Sequence, residues 1–346
     1  MPAPSHARSR RVSGQNVPMR LERQYHDLSK PIREFTFVVD ALEAGMRLDA
    51  LLRTHYPWKS RTHYQRIVAR GDVLLDDRPS KASVRVKRGM RVVVRLPVDP
   101  EAPDQETDDD LVFLYEDDAL AAIDKPSGMT VHPTGRIRHG TLINKLHARY
   151  RSEERGADVV PRLAHRLDQD TSGVVLIVKN RRVDALVTKQ FTRREVEKTY
   201  LALVHGVPAA EEGEVDAPMK RDPHGGTHLH MHVHPEGQVA RSRWRVLRAF
   251  RHHALLALSP RTGRQHQLRV HMAHIGYPIL CDHLYGDVRP LMRPGAPQAV
   301  LLERLALHAH RLQLDHPLTG EALDFTSPLP ADLQYAVDVL GEEGGA

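Results

Sequence analysis

Short apolar runs separated by turns make up most of the chain after residue 111. Val112–Tyr115 and Leu120–Ile123 flank a turn that contains two aspartates, which predicts a hairpin. Val174–Val178 is an unbroken β-branched and aliphatic run, typical of a buried strand. Lys198–Val204 alternates in the manner of a strand with one buried face. The pattern predicts many short strands and few helices, and it leaves the strand order open.

Helical spacing is confined to a few segments of this part of the chain. Residues 141–150 and 183–191 each fit one helix. A turn at Thr262–Gly263 leads into a third helix, which buries Leu268 on its apolar stripe and stops at Gly276.

Residues 35–98 have a different order, in which a short strand and two helices precede a hairpin. Leu48 and Leu52 share one face of the first helix. Ser60 is placed to cap the second helix, and Gly71 is placed to end it.

Charge and composition divide the chain into domains. Residues 1–34 are basic and lack apolar periodicity, which predicts a flexible arm that follows RNA phosphates or has no role. Residues 99–110 are rich in acids and proline, which predicts a linker between a small domain at 35–98 and a larger one at 111–335. Residues 336–346 are expected to fray.

Composition also excludes several classes of protein. The net charge of +6, from 50 Lys and Arg against 44 Asp and Glu, favours a polyanionic partner, although such an excess is common elsewhere too. No run approaches the roughly 18 apolar residues of a membrane span, and no apolar export signal follows the basic N-terminus. The single cysteine, Cys281, excludes an internal disulfide. No dinucleotide fingerprint or phosphate loop is present. We expect a cytoplasmic protein without a cofactor or membrane contact.

Six basic side chains lie on the second helix and the hairpin of the small domain, where few carboxylates oppose them. They are Arg61, Arg66, Arg70, Lys81, Arg85 and Lys87. Phosphate contacts from such a surface would add salt-dependent affinity for RNA. An ordinary solvated face is the alternative. We interpret the set as an RNA-binding surface.

One polar loop, His165–Gly173, leads straight into the Val174–Val178 strand. Side chains on a loop anchored by a strand are well placed for catalysis, and Asp168 has a cation, Arg166, two positions away. Asp168 could equally cap a turn ahead of the strand. The loop alone leaves both hypotheses open.

Three further features bear on a site. Tyr200 lies on the strand face opposite Leu201 and is therefore available to a cleft. Arg264 stands at the start of the third helix, where the helix dipole favours an anion. The histidines within residues 224–234 could bind a metal, but no carboxylate or cysteine is spaced to complete a site, so we expect none.

Five motifs occur together in a fixed order. They are Asp124–Gly128 with His132-Pro133, the His165–Gly173 loop, Lys198–Tyr200, Thr262–His271 and Gly276–Gly286. The set resembles the pseudouridine synthases of the RluA type, which isomerise uridine in ribosomal or transfer RNA, and residues 36–97 resemble the S4 RNA-binding domain. The resemblance implies an α+β fold, in which a small S4-like α/β domain precedes a catalytic domain with a mixed, mostly antiparallel sheet and flanking helices. Two departures are Asp124, where the family often has Asn, and Cys281, where it usually has Gly.

The resemblance also implies roles for individual residues. Asp168 would be the essential carboxylate, which attacks the sugar or the base or removes a sugar proton. A carboxylate covered by RNA needs a cation to stay ionised, and Arg264 is the first candidate and Arg269 the second. Tyr200 would contact the uracil ring, and its hydroxyl would assist removal of the C5 proton. Arg166 would fill the space that the flipped base leaves.

The resulting hypothesis is a monomeric enzyme, without an obligatory protein partner, that converts uridines of 23S ribosomal RNA to pseudouridine. The remaining residues that we assign to substrate binding are His132, His165, Thr171 and Lys198. A synthase directed at transfer RNA and a non-catalytic RNA-binding factor for ribosome assembly are the alternatives. A hydrolase that uses Ser172 with a histidine is a weaker one, because Ser172 lacks a nucleophile-elbow context.

Overall fold

The computed structural model describes residues 34–55, 61–95, 107–108, 110–134, 137–150, 159–222, 230–286 and 289–342. Residues 1–33 of the predicted arm, most of the predicted linker, and the histidines at 224 and 228 lie outside these ranges, as does the Ser60 cap, whereas Glu34 belongs to the first strand.

The N-terminal domain packs two helices on a four-stranded antiparallel sheet. Its elements are β1 (Glu34–Val38), α1 (Leu48–His55), α2 (Arg61–Ala69), β2 (Val73–Leu75), β3 (Arg78–Pro79) and β4 (Arg91–Arg95). The strand order is β1-β4-β2-β3. Leu48, Leu51 and Leu52 of α1 are fully buried together with Ile67 of α2. The predicted order of two helices before a hairpin is confirmed.

A buried carboxylate joins the two helices of this domain. Asp49 has no exposed surface and accepts hydrogen bonds from Arg47, Arg61 and Gln65. Burial acts to raise the pKa of Asp49, but these hydrogen bonds outweigh it and hold the pKa well below its ordinary value. The carboxylate therefore stays charged and fixes α1 against α2.

The larger domain contains the remaining strands and helices. They are β5 (Val112–Glu116), β6 (Leu120–Lys125), α3 (Leu142–Tyr150), β7 (Arg162–Leu163), β8 (Ser172–Val178), α4 (Arg181–Arg193), β9 (Glu197–His205), β10 (Glu212–Asp216), β11 (Met219–Arg221), β12 (Met231–Val233), β13 (Arg241–Ala249), β14 (His253–Pro260), α5 (Gln267–His274), β15 (Leu291–Arg293), β16 (Ala296–Leu302), β17 (Leu307–Asp315), β18 (Ala322–Thr326) and α6 (Ala331–Glu342).

Ten of these strands form one sheet with the order β10-β13-β14-β9-β17-β8-β6-β5, to which β18 adds beside β17 and β7 beside β8. Every pair is antiparallel except β17 with β8, which run parallel. The predicted mixed, mostly antiparallel sheet with flanking helices is confirmed.

Both faces of β8 are covered, which explains its unbroken apolar sequence. Val175 and Ile177 pack under α3 in one core cluster. Val174 and Leu176 face the opposite way and pack with Val183 of α4 in another. The strand that follows the polar loop is thus rigidly held on two sides.

The parallel contact between β8 and β17 requires a glycine. Gly173 has a φ of +109°, and a Cβ atom at this position would lie 2.2 Å from the carbonyl oxygen of Ala309. Ala309 pairs in turn with Tyr200 of β9. The two halves of the sheet therefore meet directly beside the polar loop.

One predicted domain boundary is wrong. Residues 336–342 do not fray, because α6 extends to Glu342 and buries Ala336, Val337 and Leu340. These side chains pack on the core formed by β9, β14 and β17. Within the described part of the chain, the helices all fall short of the length and apolarity needed to cross a membrane.

We predict that Gly173→Ala strongly lowers the free energy of unfolding, because the new methyl group meets a backbone oxygen that cannot move without separating β8 from β17. The expected loss exceeds about 3 kcal/mol in urea denaturation. Gly276→Ala is the matched control: Gly276 also has a positive φ, of +84°, but no atom lies within 4 Å of its Cβ position. Its expected cost is about 1 kcal/mol. Equal losses in the two variants would contradict the contact.

Candidate active site

A cleft of about 800 Å³ opens beside the junction of β8, β17 and β9. It is bounded by the loop before β8, the end of α4, the start of β9, and the loop between β14 and α5. The predicted site residues among its walls are His165, Arg166, Asp168, Thr171, Lys198, Tyr200, Arg264 and Arg269. Its volume is within the range of small-molecule sites and is large enough for one nucleotide.

Asp168 faces a buried arginine. Its Oδ2 lies 3.4 Å from Nη1 of Arg269. Arg269 also donates to both carboxylate oxygens of Asp282, over 2.8 and 2.6 Å. Asp282 is fully buried and accepts the backbone N–H groups of Leu284 and Tyr285. The guanidinium thus joins an outer carboxylate at the cleft to an inner one that is completely paired.

Hydrogen bonds between Arg269 and Asp282 keep both side chains charged. Burial acts to lower the pKa of Arg269, but its hydrogen bonds to Asp282 and the charge on Asp168 raise the pKa above its ordinary value. Burial acts likewise to raise the pKa of Asp282, and the bonds from Arg269 hold that pKa low. A permanent positive charge therefore lies next to Asp168.

The order of the two predicted cations is reversed by the geometry. Arg264 lines the cleft, but its side chain is exposed and its Nε donates to the carbonyl oxygen of Val239. The reason is the point at which the helix starts. The segment from Arg264 to His266 is a turn, and α5 begins only at Gln267, so Arg269 is the arginine that its first turn directs at Asp168.

Tyr200 reaches the cleft from β9, as its position in the alternation predicted. Its ring is partly buried and packs against the core clusters on both sides of the β8–β17 junction. Burial, with a contribution from the charge on Asp168, raises the pKa of Tyr200 above its ordinary value. The phenol is therefore protonated at neutral pH.

The first of the five motifs holds the loop that carries Asp168, a role that the sequence did not reveal. The ammonium group of Lys125, which has no exposed surface, donates to the carbonyl oxygens of Pro126, Met129 and Gln169, at 2.8, 2.9 and 2.9 Å. Gly128 donates its N–H to the same Gln169 oxygen. The signal in the sequence that could have indicated this role is a lysine at the end of the apolar strand β6. A buried ammonium group must be hydrogen bonded, so such a lysine is expected to bind nearby acceptors.

Ser127 completes this attachment, since its hydroxyl donates to the carbonyl oxygen of Asp170 over 2.7 Å. The backbone on either side of the 168–170 turn is therefore tied to the segment after β6. Thr171, which follows the turn, is buried and donates its N–H to the carbonyl oxygen of Asp168.

The other predicted substrate-binding residues have different surroundings. His165 borders the cleft, but its Nε2 accepts the N–H of Leu176, and burial lowers its pKa to about 3, so the ring is neutral. Arg166 is exposed at the cleft. The ammonium group of Lys198 lies 5.8 Å from the centre of the Phe191 ring. His132 is not among the residues that line the cleft.

The six basic residues predicted to bind RNA fall into two groups. Arg61 pairs with the buried Asp49, Arg70 pairs with Asp72 over 2.6 Å, and Arg85 donates to the carbonyl oxygen of Gly45. The premise that carboxylates are nearly absent there is therefore wrong. The exposed members without an ion pair to another described residue are Arg66, Lys81, Lys87 and Arg85, and of these Arg85 already donates to a backbone carbonyl.

The histidine-rich stretch is described from residue 230 onward. His230 hydrogen bonds through Nε2 to the carbonyl oxygen of Leu284, and the rings of His232 and His234 meet edge to face. Among the residues that the structure describes, no three His, Cys, Asp or Glu side chains are grouped to hold a metal.

Comparisons with known proteins agree with this architecture. Residues 119–274 match the RNA pseudouridylate synthase family, and residues 46–92 match the S4 domain. An RNA pseudouridine synthase of Chloroflexus aurantiacus is 40% identical over 309 residues, which are 89% of this chain and 94% of the relative. The ribosomal large subunit pseudouridine synthase D of Xanthomonas campestris is 36% identical over 88% of this chain and 92% of its own.

A solved structure shares the fold over about two thirds of this chain. The human RNA pseudouridylate synthase domain containing 4 protein superposes with a TM-score of 0.53 at 28% identity, over 66% of this chain and 92% of its own. The chain belongs to the RNA pseudouridine synthases of the RluA type, with an S4 domain at its N-terminal side, and this family consists of isomerases. The resemblance seen in the sequence is confirmed.

Lys125 gives the site a testable pH signature. Burial lowers the pKa of Lys125 to about 7, and the charges on Asp170 and Asp168 oppose the shift. Between about pH 7 and the pKa of an exposed lysine, the unfolded chain binds a proton that the folded chain has released, so the stability contributed at this position rises with pH. We predict that wild type gains stability over Lys125→Met as pH increases from 7 to 9.5, at up to about 1.4 kcal/mol per pH unit.

Urea denaturation of both proteins between pH 7 and 9.5 measures the difference in their free energies of unfolding. Groups that titrate alike in the two proteins do not contribute to this difference. Parallel stability curves for wild type and Lys125→Met would contradict the assignment.

Proposed function

We propose that this enzyme converts uridines of large-subunit ribosomal RNA to pseudouridine, with Asp168 as the essential carboxylate. The observation that carries the proposal is the pairing of Asp168 with the buried Arg269 in a cleft that also contains Tyr200. The ribosomal substrate is inferred from the relatives named ribosomal large subunit pseudouridine synthase D, which the chain matches over nearly its full length in Xanthomonas campestris and Escherichia coli.

The reaction must break the bond between the sugar and N1, turn the uracil, join the sugar to C5 and remove the C5 proton. No redox step occurs and no external group is added. An ionised carboxylate within reach of the sugar can act covalently or as a base. Arg269 supports either role, because a neighbouring guanidinium favours the charged form of a carboxylate that RNA has covered.

Tyr200 is placed to hold the uracil. Stacking of a base on an aromatic ring contributes on the order of 1–3 kcal/mol, which offsets part of the cost of unstacking the nucleotide. Because its pKa is raised, the phenol assists removal of the C5 proton as a hydrogen-bonding or relaying group and not as a tyrosinate.

Arg166 lies two residues from Asp168 and is exposed at the cleft. A guanidinium at this place fills the position of the extruded nucleotide or contacts its phosphate. In the S4 domain, the exposed Arg66, Lys81 and Lys87 are the cations that we assign to phosphate contacts, since no carboxylate among the described residues neutralises them.

We further propose that the enzyme acts as a cytoplasmic monomer. Asp168, Tyr200, Arg269 and Asp282 of one chain meet in the same cleft, which supports a site formed within a monomer. Its single cysteine suits a reducing compartment.

Tritium release from RNA labelled at uridine C5 tests the function, because release accompanies formation of the new bond to C5. We expect the wild type to release tritium from 23S-type ribosomal RNA and not from bulk transfer RNA. Asp168→Asn keeps the shape of the side chain without its charge, and should lower the rate at least about 1,000-fold while RNA binding is retained.

Release from transfer RNA alone would reassign the substrate. Salt-dependent binding with no release from either RNA would favour the non-catalytic assembly factor.

The two arginines give a matched test of the cation. Arg269→Lys keeps a positive charge but loses the two-pronged contact with Asp282, so we expect kcat to fall about 100-fold. Arg264→Lys changes an exposed side chain and should alter kcat by less than about threefold. Circular dichroism verifies that both variants fold. A larger effect at Arg264 than at Arg269 would restore the order inferred from the sequence.

A further inference from the structure

The residue before α5 has an unusual backbone. His266 adopts a left-handed conformation, with φ 54° and ψ 20°, and its side chain makes no capping hydrogen bond to the helix. Residues other than glycine are held in this region at a cost in free energy, and such residues cluster at functional sites. The imidazole is buried and forms part of the cleft wall.

One nitrogen of His266 is fixed by a tyrosine. Nδ1 lies 2.7 Å from the hydroxyl oxygen of Tyr285, and this oxygen also accepts the backbone N–H of Met231 over 3.0 Å. Among the described residues, Nδ1 is the acceptor within reach of the hydroxyl proton. Tyr285 therefore donates to Nδ1, and the proton of the neutral imidazole resides on Nε2.

The other nitrogen faces the proposed catalytic carboxylate. Nε2 lies 3.9 Å from Oδ1 of Asp168, whereas Arg269 approaches Oδ2. Each carboxylate oxygen thus faces a different side chain. The distance to Nε2 is too long for a hydrogen bond, but such contacts in enzymes without substrate commonly shorten in the complex.

The charges around His266 favour its neutral form. Burial lowers its pKa, and the positive charges of Arg269 and Arg166 act in the same direction. Asp168 and Asp282 act in the opposite direction. A neutral donor at this place orients the carboxylate without adding a second full charge beside Arg269.

We propose that His266 is a positioning residue for the reaction, whose Nε2–H closes onto Oδ1 of Asp168 when RNA is bound and which Tyr285 holds in the required tautomer. The inference rests on the proposed function, since it takes Asp168 as the essential carboxylate. It adds a hydrogen-bond donor that acts through Asp168 and does not itself touch the uridine.

A matched pair of substitutions isolates the donor. In glutamine, the amide nitrogen is as many bonds from Cα as Nε2 is in histidine, and methionine has the same length without a donor. We expect His266→Met to lower kcat for tritium release about 10- to 100-fold with little change in KM. His266→Gln should recover most of the loss.

The pH profile separates positioning from a structural role. A donor favours the ionised form of a carboxylate, so the acid limb of kcat should move to higher pH in His266→Met and return in His266→Gln. Tyr285→Phe should lower kcat less than His266→Met does, because it releases the tautomer without removing the imidazole. An unmoved acid limb, or a glutamine variant no better than the methionine variant, would overturn the proposal.

The tautomer can be measured without activity. Nitrogen-15 NMR of histidine-labelled protein, with the signal of His266 assigned by its loss in His266→Gln, should show the proton on Nε2 in wild type. A proton on Nδ1 would refute the inference even if the enzyme modifies another RNA. Conversely, if the wild type has the expected tautomer but releases no tritium, the result counts against the proposed function alone.

Discussion

A buried guanidinium determines the arrangement of the cleft beside Asp168. An arginine removed from water is costly unless its donors are paired, and Arg269 meets this condition through two hydrogen bonds to the equally buried Asp282. Asp282 is in turn satisfied by backbone N–H groups of the following loop. Nε and Nη2 bind Asp282, and the third nitrogen, Nη1, is directed at Asp168. The ion pairs of Arg269 with Asp282 and Asp168 therefore hold α5, the loop after Asp282 and the loop that carries Asp168 in place relative to each other.

The backbone of that loop is also held by a buried lysine, which donates to neutral carbonyl oxygens. Lys125 binds three carbonyl oxygens, one of them from Gln169, and Gly173 allows β17 to approach directly after the loop. The side chain of Asp168 is thus oriented by a cation, while its backbone is fixed by hydrogen bonds and by a strand contact. Separating these constraints lets the carboxylate remain partly exposed to a substrate although its loop is rigid.

Local patterns were sufficient for the strands and for the residue types of the site, but not for its pairing. The apolar run before Lys179 identified β8, and the alternation around Tyr200 placed that residue at the cleft. Both predictions succeeded because strand positions that are buried on one or two faces carry apolar residues in a regular pattern. The choice between Arg264 and Arg269 depended on a turn that delays the start of α5. The Asp49 pair with Arg61 joins residues on different helices. Such contacts between residues that are distant in the sequence cannot be predicted from the spacing of residue types.

Pairing also decides which basic surface is available to RNA. On the edge of the sheet, Arg241 and Arg243 of β13 bond to Asp216 and Glu214 of β10, each over 2.9 Å, so the charges of these two arginines are neutralised. At the cleft, Arg166, Lys198 and Arg264 have no carboxylate partner among the described residues. A polyanion gains from cations whose field is not already cancelled. The modest net charge of the chain thus conceals a local excess of positive charge among the described residues around Asp168.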